Sequence, residues 1–307
     1  MNRHMVPEGA YPAIIGGERI FTQQNIDVID PATGKVFATV ARCGQAEVDQ
    51  AVAAARAAFK KSWRLSTAAE RARLLGSFAQ AITDNSDQLA ALESRDTGKP
   101  LRQARVDVQF AARYFEYYSN MVEAVFGSVI PAGTDRLTFT LREAYGVTGH
   151  IIPWNYPLGI ACRTLAPALA AGNCCVLKPA EQAPLSSVRI AELALEAGFP
   201  AGVLNVVPGY GAEAGAALSG HPGIDHISFT GSVPIGRKIA EAAAGNLIPA
   251  ALELGGKSPN IVLADADLDL ATPVVAQAIL QNAGQTCSAG ARLLVHRDVH
   301  DELVARL

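Results

Sequence analysis

The sequence has little of what would place it outside soluble, small-molecule chemistry. Only 18% of its 307 residues are charged and the formal net charge is -3, so nothing electrostatic points to nucleic acid or an anionic membrane as partner. No stretch holds the ~18 uninterrupted apolar residues a spanning helix needs, and the opening MNRHMVPEGAYPAII lacks the apolar run of a signal peptide. A small-molecule substrate and a cytoplasmic location are the resulting expectations. The five cysteines, Cys43, Cys162, Cys174, Cys175 and Cys287, form no CxxC pair, which suits free thiols in a reducing compartment. The six histidines show no metal-ligand spacing, so no metal site is expected, and no GxSxG elbow supports serine hydrolysis. Low-complexity segments are absent apart from alanine-rich helices.

What is present is a chain half hydrophobic and long enough for one large domain or two ordinary ones. From Ala46 to Met121 the period is helical. Thr67 and Glu70 form a capping-box signature, and Val106, Phe110, Tyr114, Tyr117 and Met121 share one helical face, which reads as packing on a core. Between Val125 and Gly146 the pattern changes to alternation, with Leu137, Phe139 and Leu141 on one side of Thr138 and Thr140, after a turn-rich Pro131–Asp135. This predicts an inserted β-hairpin.

From Val147 short apolar runs alternate with helical stretches: VTGHII, then Leu158 to Ala171; CCVLK, then Ser186 to Ala197; VLNVV, then Ala212 to Leu218; IDHISF, then Val233 to Ala244. Such alternation predicts an α/β fold with a Rossmann-like parallel sheet and flanking helices. Gly172 and Gly198 sit where helix C-caps belong. In an open α/β sheet ligands bind beyond the carboxyl ends of the strands, so the loops there are where chemistry is to be sought.

Six segments stand out. Pro153-Trp154-Asn155-Tyr156-Pro157 is either a stiff turn with Asn155 capping the next helix, or a rigid mount for an amide that donates to an oxyanion. Lys178-Pro179-Ala180-Glu181 is either a solvated turn or a ribose site, whose carboxylate suits two sugar hydroxyls and repels a 2'-phosphate. Two glycine turns compete for a pyrophosphate: Gly209-Tyr210-Gly211-Ala212-Glu213-Ala214, and Gly231-Ser232-Val233-Pro234-Ile235-Gly236, where Ser232 can cap and Pro234 lies in the first turn. Glu253 closes the apolar run AALEL; it is a general base, or a strand-end carboxylate paired with Lys257. Gly284-Gln285-Thr286-Cys287-Ser288-Ala289-Gly290 surrounds Cys287 with small residues that leave room for substrate at a thiolate. Cys162, Cys174 and Cys175 lie in apolar runs and read as inert.

PWNYP, KPAE, FTGS, ELGGK and GQTCSAG, in this order and at these separations, closely resemble the aldehyde dehydrogenase superfamily, and the resemblance covers essentially the whole chain. It implies oxidation of an aldehyde to a carboxylic acid with NAD as hydride acceptor, NADP being less suited. Cys287 matches the nucleophile, Asn155 and the Cys287 N–H the oxyanion donors, and Glu253 the base that activates water. Lys178 counts in both the catalytic and the cofactor set, and Lys178 with Glu181 matches the adenosine-ribose contacts. The resemblance places the pyrophosphate on the Gly231–Gly236 turn rather than on Gly209-Tyr210-Gly211. It implies a cofactor cleft formed by Ile151, Ile152, Pro153, Trp154, Gly211, Phe229, Gly231, Ser232, Ile235, Gly236 and Leu254.

By the same resemblance, residues 1–124 and 147–254 form the NAD-binding domain, 125–146 an oligomerisation hairpin, and 255–307 the start of a second α/β, catalytic domain. Family members continue well beyond the cysteine loop, so a truncated chain is expected. The alternative is a catalytically incomplete nucleotide-binding or subunit-interaction fragment. A homo-oligomer is expected of the complete enzyme. The accessible thiol could also hydrolyse activated esters without NAD.

Overall fold

The computed structural model describes residue 6 and residues 8–307; Met1 to Met5, part of the N-terminal stretch read above for a leader, lie outside the described residues. The chain opens with five short strands, β1 (Gly9–Tyr11), β2 (Ala13–Ile15), β3 (Glu18–Ile20), β4 (Asn25–Asp30) and β5 (Lys35–Ala41). Four helices follow: α1 (Gln45–Lys61), α2 (Ala68–Asp84), α3 (Ser86–Thr97) and α4 (Leu101–Met121). The Thr67 hydroxyl accepts from the Glu70 N–H while Glu70 accepts from the Thr67 N–H, so α2 starts on the expected capping box.

One expectation in this region is overturned. Phe110 is 60% exposed and Tyr117 50%, and Val106 and Met121 also face outward; only Tyr114 of that stripe packs against the core. The inward face of α4 is instead Ala104, Val108, Ala111, Ala112 and Phe115. Small residues let α4 approach α2 and α5 closely, so tertiary packing selected the alanine face over the bulkier one. Phe115 meets Phe78 at 4.5 Å between ring centroids, and each such fully buried ring contributes roughly 2–3 kcal/mol.

Strands β6 (Val129–Ile130) and β7 (Thr138–Phe139) pair antiparallel as a hairpin, with Leu137, Phe139 and Leu141 exposed. The alternating region follows: β8 (Val147–Ile151), α5 (Pro157–Ala170), β9 (Cys174–Lys178), α6 (Leu185–Glu196), β10 (Leu204–Val206), a π-helical turn over Gly211–Gly215 leading into α7 (Ala216–Ser219), β11 (His226–Gly231), α8 (Val233–Gly245) and β12 (Ala250–Leu254). Gly172 and Gly198 follow α5 and α6 with φ of +91° and +95°, the left-handed closure expected of them.

A seven-stranded sheet has the order β12-β11-β8-β9-β10-β2-β3, parallel from β12 to β10 and antiparallel at β2 and β3. Strands β8, β9 and β10 are buried throughout, because α5 and α6, backed by α2 to α4, cover one face while α1 packs with α7 on the other. The chain ends in β13 (Pro259–Val262), α9 (Leu268–Leu280), β14 (Arg292–Val295) and α10 (Arg297–Arg306). Parallel strands β13 and β14 pair with each other, and Val262, Leu268, Val275 and Leu303 form a small hydrophobic cluster separate from the main core.

Candidate active site

Strand β8, first of the parallel run, lies inside the sheet; the chain winds outward through β9 and β10, then returns to the other side of β8 at β11. The crevice beyond the carboxyl ends of β8 and β11 is therefore the switch point at which such sheets take ligands. Ile151 and Ile152 end β8 buried, and Pro153 and Trp154 lead out into the crevice. Asn155 does not cap α5. Tyr156 holds the N-cap position without a side-chain bond, while Asn155 Nδ2 donates to the Gln285 carbonyl at 2.8 Å. In return Asn282 Nδ2 donates to the Asn155 carbonyl at 3.1 Å. The amide thus joins two loops instead of closing one.

Beyond β11, Ser232 occupies the N-cap of α8 but makes no side-chain cap bond. The first-turn N–H groups of this 13-residue helix stay open beside the exposed Val233 and Ile235. Gly236 is buried, and a Cβ there would lie 2.6 Å from Leu254 Cδ2, so glycine lets α8 close on β12. Phe229 is buried beneath the turn. Open N–H groups with no competing carboxylate are chemically suited to a diphosphate.

Lys178, the last residue of β9, is 2% exposed, with Nζ 3.1 Å from Glu181 Oε2. Burial pushes its ammonium below the usual lysine range, and Glu181 counteracts that. Gly211 starts the turn beyond β10, exposed, and the Glu213 carboxylate of that turn receives Arg42 Nε at 2.9 Å. Lys178, Glu181 and Gly211 lie beyond the neighbouring strands, outside the cavity that holds the thiol.

That cavity, about 300 Å³, is lined by Pro153, Trp154, Asn155, Gly231, Ser232, Glu253, Leu254, Thr286 and Cys287. Glu253 sits at the end of edge strand β12 and is exposed, so the expected cost of burying it does not arise, and among the described residues it forms no ion pair with Lys257. A second cavity, about 390 Å³, also includes Glu253 and is lined by Arg163, Thr164, Ser228 and His150. Burial, then the neighbouring His226, pushes His150 down to about 3; the neutral ring sits 2.6 Å from Thr164 Oγ1 and 2.8 Å from Thr148 Oγ1.

Of the five thiols only Cys287 is exposed. Burial raises the other four, Cys43 and Cys175 to about 12, which keeps them protonated and inert at neutral pH. Among the described residues no group of His, Cys, Asp and Glu could hold a metal ion. An open thiol, an amide donor and a carboxylate on one cavity are the parts that acyl chemistry through a thioester requires.

The model of the aldehyde dehydrogenase family matches residues 20–307. The chain belongs to the aldehyde dehydrogenase family. Retinal dehydrogenase 2 of Homo sapiens is 47% identical over 283 residues, 91% of this chain and 55% of that protein. A structure of an NAD-dependent aldehyde dehydrogenase from Sinorhizobium meliloti matches with a TM-score of 0.97 at 41% identity, covering 100% of this chain and 62% of its own. An NAD+ complex of an aldehyde dehydrogenase from Bacillus cereus matches with a TM-score of 0.95 at 43% identity, covering 96% and 61%. The chain thus spans between about half and two thirds of the length of these relatives.

This aldehyde dehydrogenase chain also contains a polar seam that the motifs did not disclose. The Tyr156 hydroxyl lies 3.0 Å from Thr286 Oγ1 and receives Gln281 Nε2 at 3.3 Å, and Asn282 adopts a left-handed conformation (φ +49°) where the loop leaves α9. Tyr156 and Thr286 are 130 residues apart, and no local period could have paired them.

Proposed function

We propose that this chain carries the cofactor-binding part and the nucleophile of an enzyme that oxidises an aldehyde to a carboxylic acid. Residues 1–124 and 147–254 form the cofactor domain in this reading, and 255–307 begin the catalytic domain. The observation that carries it is the cavity shared by Cys287, Asn155 and Glu253. Cys287 adds as thiolate to the aldehyde carbon, and the Asn155 amide with the Cys287 N–H holds the oxygen as it becomes negative. Bound NAD would supply the acceptor for the hydride of the thiohemiacetal carbon, whose departure turns the adduct on Cys287 into a thioester. Glu253 then takes a proton from water, which attacks the thioester and releases the acid.

The residues present suit that cofactor. The uncapped start of α8 offers N–H groups to the diphosphate; Ile151, Ile152, Pro153, Trp154, Phe229 and Leu254 would border it. Lys178 and Glu181 offer a donor and a carboxylate for ribose hydroxyls, and Glu181 disfavours the 2'-phosphate of NADP. Gly211 is assigned to the adenosine end. A homo-oligomer joined through the hairpin and a cytoplasmic location complete the proposal, the latter supported by five free thiols.

A second reading, a nucleotide-binding fragment without turnover, is favoured by the exposed apolar side chains Leu270, Val274 and Leu280 along α9. NADH formation over a panel of aldehydes separates the two. Turnover abolished in Cys287→Ser and stalled after acylation in Glu253→Gln supports oxidation; NAD binding without turnover supports the fragment.

A further inference from the structure

A buried cation stands behind the loop that carries Asn155. Lys99, fully shielded from solvent, holds its ammonium 2.7 Å from Asp107 Oδ2, 3.2 Å from Glu93 Oε1 and 4.3 Å from the centroid of the Tyr156 ring. Two carboxylates fix the lysine, and the desolvated lysine fixes the face of the ring. At the far end of the ring, the Tyr156 hydroxyl accepts from Gln281 Nε2 and shares a 3.0 Å hydrogen bond with Thr286 Oγ1 in which either hydroxyl can donate.

Thr286 directly precedes Cys287. The loop between them and α9 leaves the helix through two consecutive left-handed residues, Asn282 and Ala283, and among the described residues no hydrogen bond holds the Cys287 side chain. The thiol is therefore placed by what holds its neighbour. We infer that Tyr156 is a positioning residue for the Cys287 thiol, acting through the Thr286 hydroxyl, with buried Lys99 setting the plane of its ring. The inference rests on the reading of Cys287 as nucleophile. A nucleophile misplaced by about 1 Å loses on the order of a hundredfold in rate, so a fixed hydroxyl contact one residue away matters chemically.

The test is alkylation of the intact chain by iodoacetamide, with Cys287→Ser as blank. The other four cysteines are buried, so the reagent reads Cys287. Rates are followed through the ionisation of the thiol, which separates a lower plateau from a shifted titration. Tyr156→Phe keeps the ring over Lys99 and removes only the hydroxyl. It is expected to lower the plateau by about fivefold or more, as is Thr286→Val, with no further loss in the double variant, while Thr286→Ser stays within about twofold of wild type. Tyr156→Phe at the wild-type plateau, additive losses in the double variant, or labelling that spreads to the buried cysteines would each overturn the inference. If NADH formation survives in Cys287→Ser, the nucleophile assignment fails, and the alkylation series still decides whether Tyr156 positions the thiol.

Discussion

The side-chain amide of Asn155 donates to the carbonyl of Gln285 at 2.8 Å, two residues before the exposed thiol. One amide hydrogen is thus engaged by the thiol loop, and in the proposed reaction the other donates to the substrate oxygen. Replacing Asn155 by Ala removes both. The expected result is a fall in acylation rate of roughly 10²–10³, the usual loss for one oxyanion donor. Single-turnover NADH bursts check it; an unchanged burst rate would remove Asn155 from the chemistry.

Glu181 lies within reach of Lys178 at the end of β9, with a quarter of its side chain exposed (25%). If it reads ribose hydroxyls, NAD binds more tightly than NADP, and Glu181→Gln narrows the gap by about tenfold, or roughly 1.4 kcal/mol. Titration calorimetry with both nucleotides measures this. Equal affinities in the wild-type chain count against the assignment.

The Lys99 ammonium pairs with both Glu93 and Asp107 in the core, and burial pushes the Glu93 carboxyl upward despite it. Lys99→Met strands two buried carboxylates and is expected to cost about 3–5 kcal/mol of unfolding free energy. Urea denaturation reads the loss, which should shrink on acidification as Glu93, raised by burial, takes up a proton.

His150 is held neutral in the fold, with its pKa pushed down to about 3, against 6.5 when unfolded. Between those values the unfolded chain binds the extra proton. The contribution of His150 is therefore full above about pH 6.5 and lost as pH falls toward 3, at up to ~1.4 kcal/mol per pH unit. Glu93 and Asp96, both raised by burial, act in the opposite sense. Comparing His150→Gln with wild type isolates the effect: denaturation midpoints should converge as the pH is lowered, and a constant difference refutes it.

Leu137, Phe139 and Leu141 on the hairpin are exposed at 74%, 56% and 72%. An apolar strip of this kind favours association. Sedimentation should show the chain self-associating at micromolar concentration, and serine at all three positions should shift it toward monomer.

Much of this protein was legible in its residues. The alternation from Val147 onward predicted a parallel sheet, since strands covered on both faces read as apolar runs, and β8, β9 and β10 are buried throughout. Thr67 with Glu70, and the glycines after α5 and α6, marked helix ends because capping is local chemistry. The small residues around Cys287 likewise distinguished it from Cys162, Cys174 and Cys175, which are buried.

Tertiary structure alone decided the rest. Periodicity showed that α4 has a bulky stripe but not that Ala104, Val108 and Ala111 would face inward; close approach to α2 and α5 chose between the two faces. The run AALEL did not disclose that Glu253 sits on an edge strand, where its carboxylate needs no partner. Nor could the seam of Lys99, Tyr156 and Thr286 be read along the chain. A cation over a ring and hydrogen bonding across a crevice depend on distance in space, and Lys99, Tyr156 and Thr286 lie far apart in sequence.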